Sequence, residues 1–149
     1  MFLRTKEGRM EKARSQAVLL HCQDPRFKSH VEKLVVANLG LTEEELDVIS
    51  VPGGGWELAR SGVGIELLAT GLKIAIQDHG ARTVVIVHHQ DCGAYGGSGS
   101  FRNLDHEREH HDREIRKAVH QLIVRFRHIQ DFQGYMAVKN GHVSLDRLF

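Results

Sequence analysis

Two stretches of sequence decide the fold: residues 17–26, AVLLHCQDPR, and residues 83–93, TVVIVHHQDCG. Each begins with a continuous apolar run and ends in polar residues that include a cysteine and a histidine. A short continuous apolar run is typical of a strand covered on both faces, as in a parallel sheet. Ligands bind beyond the carboxyl ends of such strands. The two stretches therefore predict polar side chains gathered at one edge of a parallel sheet.

The remaining sequence alternates between strand-like runs and helical periodicity, which predicts an α/β fold with a mostly parallel sheet flanked by helices. Asp24-Pro25 predicts the start of a helix, because Asp caps helices and Pro is tolerated in their first position. That helix is expected to bury Phe27, Val31, Leu34 and Val35. Further elements are predicted as a strand at Leu46–Val51, a helix from Trp56 to His79 and a helix from about Asp105 to Gln130. Asn140-Gly141 predicts a two-residue turn between strands at Gly134–Lys139 and His142–Leu145, a C-terminal edge hairpin.

Cys22 and Cys92 are the only cysteines, and without a secretion signal a disulfide framework is a poor explanation for them. Two thiolates and one imidazole at the strand ends suit one zinc ion per chain, with a fourth position open for water and catalysis. His89 is favoured over His88 as the imidazole ligand, because side chains alternate across a strand and His89 lies three residues before Cys92. The alternative is that both cysteines are small buried residues.

The pattern Cys22-x-Asp24-x-Arg26 together with His89-x-x-Cys92-Gly93 resembles the zinc site of the β-class carbonic anhydrases, from about residue 16 to the C-terminus. The resemblance implies a short, divergent member that binds Zn²⁺ through Cys22, His89 and Cys92. It implies that Asp24 and Arg26 form an adjacent catalytic pair, in a homodimer or a higher assembly of dimers. The implied activity is that of a carbonate dehydratase, a zinc lyase that interconverts carbon dioxide and bicarbonate through metal-bound hydroxide. Asp24 would orient the zinc-bound water, and Arg26 would orient Asp24.

The glycine-rich segment SVPGGGW, residues 50–56, replaces the Arg-Asn-Ala-Gly type segment of that family. Gly53, Gly54 and Gly93 are expected to line the pocket beside the metal, where glycine permits a close backbone approach. The replacement leaves two alternatives open. One is hydrolysis of a related small molecule, carbonyl sulfide or carbon disulfide, and the other is a zinc-binding protein of this fold without catalysis.

The segment from His106 to His110, HEREH, fits the His-Glu-x-x-His pattern of zinc proteases. Charged residues surround it, so a solvated helix face with paired charges is the preferred interpretation. A further alternative makes Cys22 a thiol nucleophile with His89 as its base, which predicts activity that survives metal removal.

The length and net charge of the chain limit the number of domains and the kinds of partner that can be expected. A chain of 149 residues is predicted to form a single zinc-binding α/β domain over residues 1–149, with residues 1–15 as a poorly packed N-terminal arm. The formal net charge of +1 gives no electrostatic case for binding nucleic acid or an anionic membrane. No run approaches the roughly 20 apolar residues that cross a bilayer, and no leader is recognised, so the sequence predicts a soluble cytoplasmic protein.

Overall fold

A computed structural model describes residue 8 and residues 10–149. In this part of the chain one five-stranded sheet has the order β2-β1-β3-β4-β5. Its strands are β1 (Ala17–His21), β2 (Leu46–Ser50), β3 (Thr83–His89), β4 (Asp131–Asn140) and β5 (His142–Arg147). Strands β1 to β4 run parallel, while β5 pairs antiparallel with β4 at the sheet edge. The predicted mostly parallel sheet with a C-terminal edge hairpin is confirmed.

Four α-helices flank the sheet within the described residues: α1 (Lys28–Leu39), α2 (Trp56–Arg60), α3 (Ile65–Lys73) and α4 (Leu104–Arg125). Short 3-10 turns lie at Glu43–Glu45, Gly93–Tyr95 and Ser98–Ser100. Along β1, Leu19 packs into a core with α1, whereas Val18 and Leu20 pack into a second core with α3 and α4. Both faces of β1 are thus covered, which explains its continuous apolar sequence.

The predicted continuous helix from Trp56 to His79 is wrong, because the chain leaves the helix after Arg60. Ser61 takes the left-handed conformation with φ 51°, and α3 starts only at Ile65. The Glu57 side chain folds over this break, and its carboxylate accepts the backbone N–H of Gly64 at 3.3 Å. A Cβ at Gly62 would lie 1.8 Å from that carboxylate, so any other residue there would displace the Glu57 side chain. After α3, Ile74–Asp78 winds as a π-helix.

Three further predicted boundaries differ from the structure. Helix α1 begins at Lys28 after Phe27, and residues 25–27 form a turn that leads into it. Asp24 caps this turn as predicted, because its Oδ1 accepts the backbone N–H of Arg26 and its carbonyl oxygen accepts those of Phe27 and Lys28. Phe27, Val31 and Val35 are buried as predicted, but Leu34 is only partly buried. Helix α4 ends at Arg125, five residues early. In the hairpin Asn140 stays paired with His142, so Gly141 alone forms the tip.

The start of the described chain packs along the edge of the fold. Residues 10–14 are exposed, while Ser15 is buried and its backbone N–H donates to the carbonyl of His79 at 2.9 Å. Residues 1–7 and 9 of the predicted N-terminal arm lie outside the described residues. Among the residues that are described, no helix is both long enough and apolar enough to cross a membrane.

Candidate metal centre

The side chains of Cys22, His89 and Cys92 converge at the carboxyl ends of β1 and β3. These strands are parallel neighbours with His21 opposite Val87, so the chain leaves both at the same edge. One candidate ligand atom from each of the three side chains lies within 4.8 Å of the other two, and all three residues are buried. Within the described chain this is the one such group of His, Cys, Asp and Glu that could hold a metal ion.

The His89 ring is oriented to present one nitrogen to this group. Its Nδ1 lies 2.7 Å from the carbonyl oxygen of Gln90, which can only accept, so Nδ1 carries the proton. Its Nε2 is therefore a free acceptor, and it is buried without a hydrogen-bond partner. Phe27 stacks on the ring at 4.6 Å between centroids and holds it from one side. A histidine fixed in this way, with an orphaned Nε2, is typical of a metal ligand.

The two sulfurs are unlike in charge. Hydrogen bonding with Cys92 lowers the pKa of Cys22 to about 4, although burial opposes the shift. Backbone N–H groups of Gly53 and Asp24 add to this lowering. The same contact with Cys22 raises the pKa of Cys92, and burial adds to that rise. The pair therefore holds a thiolate at neutral pH, and this negative charge favours a bound cation.

Asp24 lies beside this group and is held by Arg26. The Arg26 guanidinium donates from Nε to Oδ1 at 3.1 Å and from Nη2 to Oδ2 at 2.7 Å. These hydrogen bonds lower the pKa of Asp24 to about 2, so the carboxylate is ionised at neutral pH. Its Oδ2 lies 3.9 Å from Nε2 of His89. The predicted pair is thus formed, next to the nitrogen that would bind a metal.

The glycine loop after β2 packs closely over the end of β3. Gly54 has φ 60°, and a Cβ there would lie 3.1 Å from the carbonyl oxygen of Val87. The backbone N–H of Gly55 donates to Nε2 of His88 at 3.0 Å. On its other side, His88 Nδ1 lies 2.9 Å from Nδ1 of His111 in α4. His88 therefore faces away from the cysteines, as expected, and anchors the loop.

The first half of α4 has the charge-paired solvated face that the sequence predicted, with Arg108 paired to Asp105 and Arg116 to Asp112, but it also has a buried face that the sequence did not predict. Glu107, His111 and Glu114 are buried, and they extend the stripe that Ala118 and Leu122 continue. The spacing of 107, 111, 114, 118 and 122 follows the helical period, so periodicity without regard to polarity would have found these residues. Because Glu107 and Glu114 are charged, the sequence pattern did not indicate that this face of α4 is buried.

The protease-like motif does not form a metal site. The Phe101 ring lies 5.6 Å from the His106 ring and 5.2 Å from the His110 ring, between centroids. The Nδ1 of His106 accepts the backbone N–H of Arg102 at 3.1 Å. Glu107 turns inward to Asp91 and Ser98 instead of joining the two histidines. The motif therefore serves as part of the α4 packing face.

An apolar cavity of about 360 Å³ lies next to the glycine loop, between residues that precede and follow it. A Cβ at Gly53 would come within 2.6 Å of Trp56 and 2.9 Å of Ala94, two residues of the cavity wall. Gly53, Gly54 and Gly93, the expected pocket residues, are not part of this wall, and a Cβ at Gly93 would meet open space. The wall consists of Val51, Pro52, Trp56, Glu57, Gly64, Leu67, Leu68 and Ala94.

Comparison with known proteins gives both a family and a fold. The fold is similar to β-carbonic anhydrase isoform I of Trichomonas vaginalis, at 17% identity over 97% of this chain and 90% of that chain, with a TM-score of 0.61. It is equally similar to a mutant of the β-carbonic anhydrase CafD of Aspergillus fumigatus, at 14% identity over 93% of this chain and 91% of that one, with a TM-score of 0.61. No curated protein sequence gives a significant match. The family model described as "Putative carbonic anhydrase" matches residues 12–144, so the chain belongs to this carbonic anhydrase family.

Proposed function

We propose that the protein is a zinc-dependent carbonic anhydrase that catalyses the reversible hydration of carbon dioxide to bicarbonate. The observation that carries this proposal is the juxtaposition of the Cys22–His89–Cys92 group with an ionised carboxylate, Asp24. Family membership supports the reaction class. The donor set supports zinc, which prefers thiolate and imidazole ligands and leaves a fourth position open in catalytic sites.

Cys22, His89 and Cys92 would hold one zinc ion per chain. Zinc, when bound, lowers the pKa of a coordinated water to about 7 and so supplies a nucleophile at neutral pH. The hydrogen bond to Gln90 fixes the His89 tautomer, so Nε2 is already unprotonated and available to bind the metal. Hydrogen bonding with Cys92 lowers the pKa of Cys22, which favours its thiolate form, whereas Cys92, whose pKa is raised, would release its proton on binding.

Asp24 would act as the acceptor that orients the nucleophile. The carboxylate stays charged, because hydrogen bonds from Arg26 hold its pKa at about 2. Arg26 also fixes the direction of the carboxylate through its backbone N–H, which donates to Oδ1 at 2.9 Å. An ionised, fixed acceptor can orient the nucleophile through a hydrogen bond and leaves its proton in place, because a carboxylate with so low a pKa is a weak base. Carbon dioxide is neutral and needs no charged group to recognise it.

A second candidate is hydrolysis of carbonyl sulfide or carbon disulfide, because the glycine-rich segment at residues 50–56 replaces the Arg-Asn-Ala-Gly type segment of the family. Carbon disulfide is a larger and more polarisable linear molecule than carbon dioxide. Product analysis with all three substrates separates the two activities.

We also propose that the chain works as a homodimer or a higher assembly of dimers. Several large apolar side chains are exposed around α3 and the end of α4, with Val63 at 104%, Leu67 at 78% and Val124 at 59% of full exposure. Exposed apolar groups of this kind favour association. Light scattering of the purified protein gives the number of subunits, and a monomer would contradict this part of the proposal.

The decisive experiment measures zinc content and stopped-flow carbon dioxide hydration on one preparation. We expect one zinc per chain and a rate that falls about 100-fold in Asp24→Asn, because misplacement of a reacting group costs about this much. Asp112→Asn is the matched control, because Asp112 pairs with Arg116 on the surface of α4 and its loss should leave the rate unchanged. Full zinc occupancy without hydration of any of the three substrates would reject catalysis and leave a zinc-binding protein.

A further inference from the structure

Arg26 is held from two sides. Besides its bonds to Asp24, its Nη1 donates to Oδ2 of Asp91 at 2.9 Å and its Nη2 donates to the backbone carbonyl of Asp91 at 3.0 Å. Asp24 follows β1 and Asp91 follows β3, so the guanidinium joins the two loops that carry the candidate ligands. Neither loop alone fixes it.

Asp91 is itself fixed, and it takes an unusual backbone conformation to reach Arg26. Its φ of 59° is left-handed, one of two such non-glycine residues in the described chain. Asp is among the few residues that tolerate this conformation. The backbone N–H of Asp91 donates to Oε2 of Glu107 at 3.0 Å, and its Oδ1 accepts the backbone N–H of Ser98 at 2.8 Å.

Glu107 is the buried end of this chain of contacts. It is 1% exposed, and a buried carboxylate is costly unless donors surround it. Its donors are the backbone N–H of Asp91 and the hydroxyl of Ser98, which lies 2.9 Å from Oε1. Both donors belong to the loop that carries Cys92. The carboxylate of Glu107 therefore binds this loop and nothing else in the described chain.

We propose that Glu107 and Asp91 are positioning residues that hold Arg26 where it keeps Asp24 directed beside the metal and off it. This inference rests on the proposed function. Asp24 Oδ2 lies only 3.9 Å from His89 Nε2, so a carboxylate released from Arg26 is close enough to compete for the open metal position. The Arg26 side chain is 47% exposed, and an exposed ion pair alone is weak. The second anchor at Asp91 makes the guanidinium a fixed partner.

The test uses the 149-residue chain loaded with Co²⁺, whose visible spectrum reports its ligands. The loaded protein is titrated with thiocyanate as a probe for the open position. The variant Asp91→Asn tolerates the left-handed backbone and keeps an acceptor for the Ser98 N–H, but it loses the charge that faces Arg26. We expect its thiocyanate affinity to fall about 3- to 10-fold, because Asp24 then occupies the position more often. Glu107→Gln should shift affinity in the same direction but less.

The same substitution in an Asp24→Asn background completes a double-mutant cycle. With the competing carboxylate neutralised, Asp91→Asn should no longer change thiocyanate affinity. Asp112→Asn is the control and should leave the affinity unchanged. An unchanged affinity in Asp91→Asn alone, or an equal loss in both backgrounds, would overturn the positioning role. A wild type that binds no metal would instead overturn the proposed function, and metal content is measured separately.

Discussion

The backbone N–H of Gly55 donates a hydrogen bond to Nε2 of His88, and this bond assigns the tautomer of a buried histidine. Because Nε2 accepts and burial holds the pKa of His88 well below its usual range, the neutral ring carries its proton on Nδ1. That proton is donated to Nδ1 of His111, 2.9 Å away. A histidine pair thus ties the glycine loop after β2 to helix α4.

Removal of the acceptor at His111 should destabilise the protein. In His111→Leu the N–H of His88 is buried without a partner, which costs about 1–3 kcal/mol of unfolding free energy. His111→Asn places an amide oxygen near the former Nδ1 and should lose less than half as much. Urea unfolding of the three proteins measures the difference. Equal losses in both variants would mean that the ring volume of His111, and not its acceptor, matters.

The free energy of unfolding should depend on pH in acid because of His111. Burial lowers the pKa of its ring to about 3, with smaller effects of His110 and His89. The ring faces His88 from β3, His110 from its own helix and Tyr95 from the loop after Cys92. An unfolded histidine has a pKa of about 6.5, so the unfolded chain binds a proton that the folded chain excludes between about pH 6.5 and 3. Stability should therefore fall as pH drops through this range.

Comparison of wild type with His111→Asn between pH 7 and 5 isolates this effect. The group contributes a slope of up to about 1.4 kcal/mol per pH unit, and this part should be absent in the variant. Both proteins are kept in chelator, so that metal loss in acid does not enter the slope. Parallel pH profiles for the two proteins would show that His111 takes up a proton in the folded state.

The sequence predicted the sheet well, because β1 and β3 are covered on both faces and their apolar runs carry a strong signal. It placed Cys22, His89 and Cys92 at strand ends that the fold brings together. It failed where local conformation depends on tertiary contacts. The break at Ser61 depends on the Glu57 side chain folding back, which no helical pattern reveals.

The buried face of α4 was missed for a different reason. Glu107 is charged in sequence, but its environment supplies donors from a loop that follows β3. From sequence alone, a carboxylate whose hydrogen-bond donors are distant along the chain is predicted to lie at the surface, because those donors cannot be identified. The contacts by which Glu107 holds Asp91, and through it Arg26, could therefore be identified only in the structure.

Substitution of Gly54 in the loop over β3 should destabilise the protein. An alanine there meets two costs, because φ of 60° is unfavourable for a side chain and its Cβ would lie 3.1 Å from the Val87 carbonyl oxygen. We expect Gly54→Ala to lose about 2–3 kcal/mol of unfolding free energy. Gly80→Ala is the matched control, since Gly80 also has positive φ, 83°, but open space around it. It should lose about 1–2 kcal/mol.

If the two glycine variants lose equal stability, backbone strain alone explains both and the close packing of the loop contributes nothing. Urea midpoints at constant slope supply the comparison.

Metal binding should depend on the two cysteines and not on the histidines of α4. A serine hydroxyl at position 22 is not ionised at neutral pH, whereas the pKa of the Cys22 thiol is about 4, so Cys22→Ser removes a negative ligand. We expect Cys22→Ser and Cys92→Ser to bind less than about a tenth of the wild-type zinc after dialysis, because each loses one of three ligands. Carbon dioxide hydration should disappear with the metal.

The double variant His106→Gln with His110→Gln serves as the control for these cysteine variants. Phe101 packs against both rings, and neither ring belongs to the Cys22–His89–Cys92 group, so the variant should keep one zinc per chain. Zinc is measured by atomic absorption on folded protein, with circular dichroism as the check of folding. Retention of zinc by Cys22→Ser, together with its loss from the histidine variant, would move the metal to α4 and overturn the assignment. Activity that persists in metal-free wild type would instead favour the Cys22 thiol as a nucleophile, because that mechanism needs no metal.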